Sequence, residues 1–447
     1  MHKHKMAIIH FFETTLDKDA TIAYGVAMQY KLNDKLPPMA FFLYSIQWWL
    51  VILPFVIIVG GVAARLHFAD VAAQTWYLQK VFALLGITTV VQVLFGHRLP
   101  VTPGPASILL VGLTASVSSS VDSLYTAIFF GGCLLTVAGF CGLFSRLRSF
   151  FTSRIIAVVL VLIGFSLTPT ILRLIFSGPV NLAVSHFCFA LVGVTLLVGI
   201  NNKLPGAAKS LTVLFGMAGG TLLYFYLWGF PEFSSESVNI APLPWGISFE
   251  FDAGTVLAFT LCFLALSINE LGAIEALGHM LRVEGMEQRI RIGSGITGFV
   301  NVLSGLFGVI GVVNYSLSAG VIGATRCASR YPLILAGILL TACAFFPGIV
   351  RILASIPGPV TGMMFLYLMT SQLASGLIVL MHDKGVVDFA SGITVGLPLM
   401  ISVLVSFVPA EVFAAFPELL RPVLGNAFVM GSLAVIFLEH VVFRNKS

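Results

Sequence analysis

From Met39 to Ala63 the chain runs for 25 residues without a charged side chain, and apolar segments of this kind recur along its whole length. A helix needs about 20 apolar residues to cross the hydrocarbon core of a bilayer. Backbone polar groups must be satisfied within the segment at that depth, so such runs fold as helices. The spacing predicts fourteen spans, at roughly 39–63, 76–95, 104–118, 123–144, 155–176, 179–200, 211–228, 254–278, 290–311, 316–327, 331–356, 358–381, 386–408 and 424–443. Composition agrees, since 58% of residues are hydrophobic and 10% charged, against about 25% charged in an ordinary soluble domain. The chain reads as an all-α polytopic membrane protein.

Little remains outside the spans. Residues 1–38 are polar, carry five lysines and lack the apolar core of a cleavable signal. They are expected to stay cytoplasmic. Residues 39–228 then form a first half of seven spans, 229–253 an acidic, proline-bearing extracytoplasmic loop, and 254–447 a second half of seven. Cys133, Cys141, Cys188, Cys262, Cys327 and Cys343 show no paired metal-ligand spacing and read as small core residues.

Charge gives the orientation, because Lys and Arg are retained on the cytoplasmic side of short loops. With the amino terminus inside, fourteen crossings place five amino-terminal lysines, Arg98, Arg146, Arg148, Arg154, Lys203, Lys209, Arg282, Arg289, Arg291, Arg326, Arg330, Lys384, Arg444 and Lys446 inside. Only Arg65, Lys80, Arg173, Arg351 and Arg421 fall outside, so the basic residues sort 19 to 5. Omitting either short span, the third or the tenth, would invert every later loop. Both termini are thus expected in the cytoplasm of a cell (inner) membrane. The net charge of +5 describes topology, and no nucleic-acid partner is expected.

Seven is odd, so the second half enters the membrane with the opposite orientation, the condition for an inverted repeat. The short spans are third in each half. They open with VTPGPAS at 101–107 and NYSLSAG at 314–320, neither of which begins an ordinary spanning helix. Paired interrupted segments of this kind point to a transporter's binding site. A half-helix starting near the midplane presents its free N–H groups and the positive end of its dipole there, and two from opposite sides aim at one point. Small residues also suit two helices that cross closely, but symmetric placement favours the site.

The residues that follow resemble a known family. In GVIGATR, at 320–326, Gly320, Thr325 and Arg326 match the signature of the nucleobase–ascorbate transporters, or nucleobase:cation symporters. FGHRLPV at 95–101 looks like the lead into that family's third span, and YKLNDKLPP at 30–38, followed by Gln47, looks like its amino-terminal approach to span one. The resemblance covers nearly the whole chain in order and span count. It implies a core domain of spans one to four and eight to eleven, and a gate domain of spans five to seven and twelve to fourteen. It further implies proton-coupled uptake of a uracil- or xanthine-like heterocycle by alternating access.

The departures fall at the family's binding positions. Its signature begins with an acidic residue, Gln or Pro and then Asn, where this chain has Leu317 and Ser318. Its span-eight glutamate lies three residues before a glycine, where this chain has Asn269 before Gly272, with Glu270 displaced by one. Trp48 replaces the histidine that often follows the span-one glutamine, and Ser107, after Ala106, replaces an aromatic residue.

The candidate substrate-binding residues are therefore Gln47, Ala106, Ser107, Asn269, Glu270, Tyr315, Ser316, Leu317 and Ser318. Glu270 is also the candidate proton-coupling group, because a mid-span carboxylate costs about 2.5–3.5 kcal/mol and is usually functional. One helical residue advances about 100°, so Asn269 and Glu270 face different ways, and which one meets the site stays open. A purely bracing role for Glu270 is the alternative. Glu275, nearer the cytoplasmic end beside His279 and Arg282, suits structure or gating. No cofactor or metal is expected, and the coupling ion is a proton, with sodium as the alternative. A small-molecule substrate and the bilayer are the expected partners, a homodimer being left open. The competing classes are an anion carrier on the same fold, a channel, for which no ring of repeated charges is found, and an enzyme, for which no catalytic dyad can be assembled.

Overall fold

The computed structural model describes residues 28–443 except 117–118, 144–151, 205–210, 230–245, 247, 316–317, 319–320, 323–324, 383–385, 387, 410–411, 413–415 and 418–420. Among the described residues, seven helices are long and apolar enough to cross a membrane, and a bent pair makes an eighth. Most of the expected amino-terminal segment, the 229–253 loop, Ser316, Leu317 and Gly320 lie outside the description.

Helix α1 (Pro38–Phe55) carries Pro54 and passes through a π-helical turn at Val56–Gly60 into α2 (Gly61–His67). A proline removes one ladder hydrogen bond, and the widened turn absorbs the mismatch. Then come α3 (Val71–Leu94), strand β1 (Pro103–Pro105), α4 (Ser107–Ala115) and α5 (Val121–Phe140). The expected span 155–176 is two helices, α6 (Ser153–Ser166) and α7 (Thr168–Ile175), and is followed by α8 (Ala183–Lys203) and α9 (Thr212–Trp228). The second half contains α10 (Ala253–Met280), α11 (Met286–Leu306), strand β2 (Val312–Asn314), α12 (Pro332–Cys343), α13 (Pro347–Ala354), α14 (Gly358–His382), α15 (Phe389–Ser406) and α16 (Ala427–Phe437). The expected span 331–356 bends by 93° between α12 and α13. Pro347 disfavours helical backbone at the residue before it, and Phe346 is non-helical there, which breaks the span.

The all-helical expectation misses one element. β1 and β2 pair antiparallel, with Pro103 opposite Asn314, Gly104 opposite Val313 and Pro105 opposite Val312. The Pro-Gly-Pro sequence of β1 cannot continue a helix, and the two valines of β2 favour extended backbone. Tyr315 N–H donates to Thr102 O (2.9 Å) and Ala106 N–H to Gly311 O (2.8 Å), extending the ladder at both ends.

The helices sort into two packed groups. In one, α5 lies on α11, α3 on α12, α10 on α5 and α12 on α1. In the other, α6 lies on α14, and each of these two also receives helices from the opposite half: α15 and α16 on α6, α8 and α9 on α14. The α5–α11 contact is close because glycines sit on both faces. A Cβ on Gly139 would overlap the backbone of Gly295, and one on Gly298 that of Thr136. Small residues are what bring membrane helices together.

The first described residues lie against the chain leaving the tenth segment. Ala328 N–H donates to Tyr30 O (2.9 Å), Arg330 N–H to Leu32 O (3.2 Å) and Ser329 Oγ to Asp34 O (2.8 Å). Of the cysteines expected in the core, Cys262, Cys327 and Cys343 are buried, while Cys141 and Cys188 are exposed on the bundle. Lipid is as apolar as a core, so an outward cysteine is equally at home on a spanning helix.

Candidate substrate and coupling site

The β1–β2 pair gathers most of the candidate residues. Ala106, fully buried, ends the extended segment, and Ser107 is the first residue of α4. Ala106 has no side-chain oxygen with which to cap α4, so the first N–H groups of that helix have no cap from their own N-terminal residue. On the other side Ser318, also buried, is helical, as are Val321, Ile322 and Thr325. Ser318 Oγ donates to Tyr315 O (3.1 Å), accepts from Thr102 N–H (3.0 Å) and lies 3.1 Å from Thr102 Oγ1. Ser318 is thus occupied in tying the second half-helix to the approach to the first.

Tyr315 bridges the two strands. Its hydroxyl donates to Pro105 O (2.6 Å), and its ring covers Gly104, where a Cβ would collide with it. Gly104 is needed for that close approach. Phe55 of α1 lies 5.1 Å from the Tyr315 ring, centroid to centroid. Gln47 stands on the same helix, half-buried and about 12 Å before Phe55 along the axis.

Glu270 and Asn269 separate as their 100° offset requires. Glu270 is fully buried, and Oε1 accepts from Thr297 Oγ1 (2.7 Å) and Asn314 Nδ2 (2.7 Å), while Oε2 accepts from the Asn314 N–H (2.9 Å). Asn269 is only half-buried, and its Nδ2 makes a long 3.4 Å contact with Asn314 O. Asn269 therefore borders accessible space, and Glu270 faces α11 and β2. Beside it, Asn301 grips β2, with Nδ2 donating to Val312 O (2.9 Å) and Oδ1 accepting from Val312 N–H (3.1 Å). Asn301 and Glu270 together satisfy backbone groups on the edge of β2 that β1 leaves open, as buried backbone requires.

Four polar residues complete this cluster that the sequence reading gave no role. Thr297 and Asn301 lie one turn apart on α11, and two polar groups four residues apart in an apolar span were the available signal. Gln92 of α3 donates through Nε2 to Thr297 Oγ1 (2.8 Å) and Gly293 O (2.9 Å). His97 follows in the connection from α3 to β1, outside the helices. Its Nδ1 accepts from Leu99 N–H (3.0 Å), and burial pushes its imidazole down to about 3, so the ring is neutral. Glu275 is also buried, and the side chain of its expected neighbour His279 lies outside the description. A separate cavity of about 180 Å³, lined by Tyr77, Lys80, Asp122 and Tyr125 among others, touches none of the candidate residues.

A multi-pass helical bundle with two short helices leading away from one buried antiparallel strand pair is the architecture of a membrane transporter. The sequence profile of the xanthine/uracil permease family matches residues 39–411, and the chain belongs to that family, the nucleobase–ascorbate transporters. It is 23% identical to the uric acid permease PucJ of Bacillus subtilis (strain 168), over 79% of this chain and 82% of that one. It is 24% identical to the xanthine permease of the same organism, over 82% and 86%. In fold it resembles the transmembrane domain of the cyanobacterial bicarbonate transporter BicA, with a TM-score of 0.56 at 16% identity, covering 80% of this chain and 98% of that one. The protein is a transporter of a small molecule rather than an enzyme.

Proposed function

We propose that the chain is a secondary active transporter that takes up a nucleobase-like heterocycle of the uracil/xanthine class, coupled to protons, by alternating access. The observation that carries this reading is the junction at which Ser107, Tyr315, Ser318 and the half-exposed Asn269 meet around β1 and β2. Its polar groups are neutral amides and hydroxyls beside an aromatic ring, which suits a planar hydrogen-bonding solute. Relatives named for uric acid and xanthine transport support the substrate class. The likeness to a bicarbonate transporter supports the fold alone, so an anionic substrate is the weaker alternative.

The packing supports seven spans repeated with opposite orientation. Shifting each span by seven maps α5 on α11 to α12 on α3, α15 on α6 to α8 on α14, and α16 on α6 to α9 on α14. It also maps α9 on α1 to α16 on α10, and α10 on α5 to α1 on α12. β1 on β2 maps to itself. In this reading α1, α3–α5 and α10–α12 are the core with the tenth segment, and α6, α8, α9 and α14–α16 the gate. Both termini are cytoplasmic in a cell (inner) membrane, the oligomer is open between monomer and homodimer, and Glu270 carries the coupled proton, with a sodium ion as the alternative.

The test is a thermal-shift screen of purified protein against nucleobases, ureides and small carboxylates, then uptake into proteoliposomes under an imposed pH gradient. Stabilisation by uracil, xanthine or uric acid and saturable, gradient-dependent uptake are expected. Stabilisation by carboxylates alone, or large unitary currents, would overturn the proposal.

A further inference from the structure

Glu270 belongs to a ring of polar groups that is closed at every corner but one. Thr297 Oγ1 donates to Glu270 Oε1 (2.7 Å) and accepts from Gln92 Nε2 (2.8 Å). Gln92 Oε1 accepts the His97 backbone N–H (3.4 Å), and Asn314 Nδ2 donates to Glu270 Oε1 (2.7 Å). The open corner lies between the side chains of His97 and Asn314. Because His97 Nδ1 is an acceptor for Leu99 N–H, the neutral ring carries its proton on Nε2. That Nε2 and Asn314 Oδ1 are both buried and unpartnered. One is a donor and the other an acceptor, and the two residues border the same hydrogen-bonded ring, His97 through Gln92 and Asn314 through Glu270. Two complementary orphans in one buried place are each costly until they meet.

We propose that His97 is a positioning residue, which by donating from Nε2 to Asn314 Oδ1 holds the Asn314 amide with its NH2 turned to Glu270. In that orientation the carboxylate accepts from three donors, Thr297 Oγ1, Asn314 Nδ2 and the Asn314 N–H. Protonation turns one of its acceptors into a donor. The Asn314 amide relieves the conflict by rotating to present Oδ1 to Glu270, and the rotation sets its NH2 against His97 Nε2–H. His97 therefore opposes protonation of Glu270 from the far end of Asn314. Arg289 of α11 anchors the histidine from outside the ring, its Nη1 donating to His97 O (2.9 Å) and Arg98 O (3.3 Å). Arg289 is the charged group that bears on His97 among the described residues, and Arg98, its neighbour in sequence, is exposed.

The inference rests on Glu270 being the coupling carboxylate, and the experiment separates the two. The carboxyl C=O stretch of Glu270, assigned by its loss in Glu270→Gln, is titrated by infrared difference spectroscopy on the full-length protein in liposomes. His97→Leu is expected to move its midpoint upward by about one pH unit. His97→Gln, which retains an N–H donor, is expected to return it toward the wild-type position. A midpoint unmoved in His97→Leu overturns the role of His97. A Glu270 band that titrates while Glu270→Gln still accumulates substrate from a proton gradient overturns the coupling reading instead. Should His97→Leu be lost from the membrane, ¹⁵N NMR of histidine-labelled wild-type protein, with the His97 signal assigned by His97→Gln, reads the same point. A proton on Nε2 is expected, and one on Nδ1 refutes the proposal.

Discussion

Glu270→Gln is expected to separate substrate exchange from accumulation. The glutamine fits the space of the carboxylate but offers one acceptor oxygen where three donors converge. If its oxygen keeps Thr297 Oγ1 and Asn314 Nδ2, its own NH2 meets the Asn314 backbone N–H, which now stands 2.9 Å from that position with no acceptor. One buried donor left unpaired costs about 1–3 kcal/mol. Rotation of Thr297 or Asn314 recovers part of this, so a net loss of about 2 kcal/mol is expected, a fall in Tm of roughly 2–4 °C for a chain of this size. The protein should remain folded. In proteoliposomes loaded with the substrate that the binding screen selects, counterflow exchange should persist, because the variant stands for the protonated state. Accumulation driven by an imposed pH gradient should vanish. Gradient-driven accumulation at the wild-type level would refute the reasoning, leave Glu270 as a brace of β2, and move the search for coupling to Glu275 or a sodium site.

Two further outcomes test the topology and the packing. In a cysteine-free background, Ser177→Cys, between α7 and α8, should react with impermeant maleimide only from outside, and Asn202→Cys, at the other end of α8, only from inside; labelling of both from one face would sink the fourteen-span count. Gly298→Leu should cut the yield of folded protein in detergent, since the side chain would enter the backbone of α5 at a cost of at least about 1–3 kcal/mol, whereas Gly396→Leu, with nothing within 4 Å of its Cβ position, should not. Equal yields would show that the α5–α11 contact tolerates separation.

Apolar length is a local property, which is why the run from α1 to α2, and α3, α5, α10 and α14, could be read from the sequence to within about five residues. The interruptions at 101–107 and 314–320 were legible for the same reason, since Pro-Gly-Pro and Asn-Tyr-Ser cannot start an ordinary spanning helix. Their pairing into a strand ladder was not legible, because it joins residues about two hundred positions apart. Glu270 marks the boundary between the two kinds of information. That a carboxylate in mid-span must have partners follows from its cost in hydrocarbon. Which partners depends on α11 and β2 arriving from elsewhere, and Thr297, a residue unremarkable in sequence, supplies one of them. The choice between Asn269 and Glu270 could not be made from a helical wheel, which gives their angular separation without saying what packs on either side. Packing of α11 and β2 encloses Glu270 and leaves Asn269 half-buried at the margin.

That division makes Asn269 the cleaner probe of binding. Its one recorded hydrogen bond, to Asn314 O, is 3.4 Å long, near the limit at which such a contact contributes, so Asn269→Ala removes little from the folded protein. If Asn269 binds the substrate from the position where the family carries its glutamate, the substitution forfeits one or two neutral hydrogen bonds, about 1–2 kcal/mol. The corresponding rise in Kd is roughly 5- to 30-fold, with Tm in the absence of substrate nearly unchanged. Tyr315→Phe supplies the contrast. It deletes the donor to Pro105 O and leaves that carbonyl unpaired beside a half-buried ring, so it should lower Tm and weaken binding only through the loosened strand pair. Isothermal titration of both variants with the screened substrate separates the cases. An Asn269→Ala protein that binds as tightly as wild type would remove Asn269 from the site, and the hydrogen bonds to the solute would then have to come from Ser107 and the amino ends of the two half-helices.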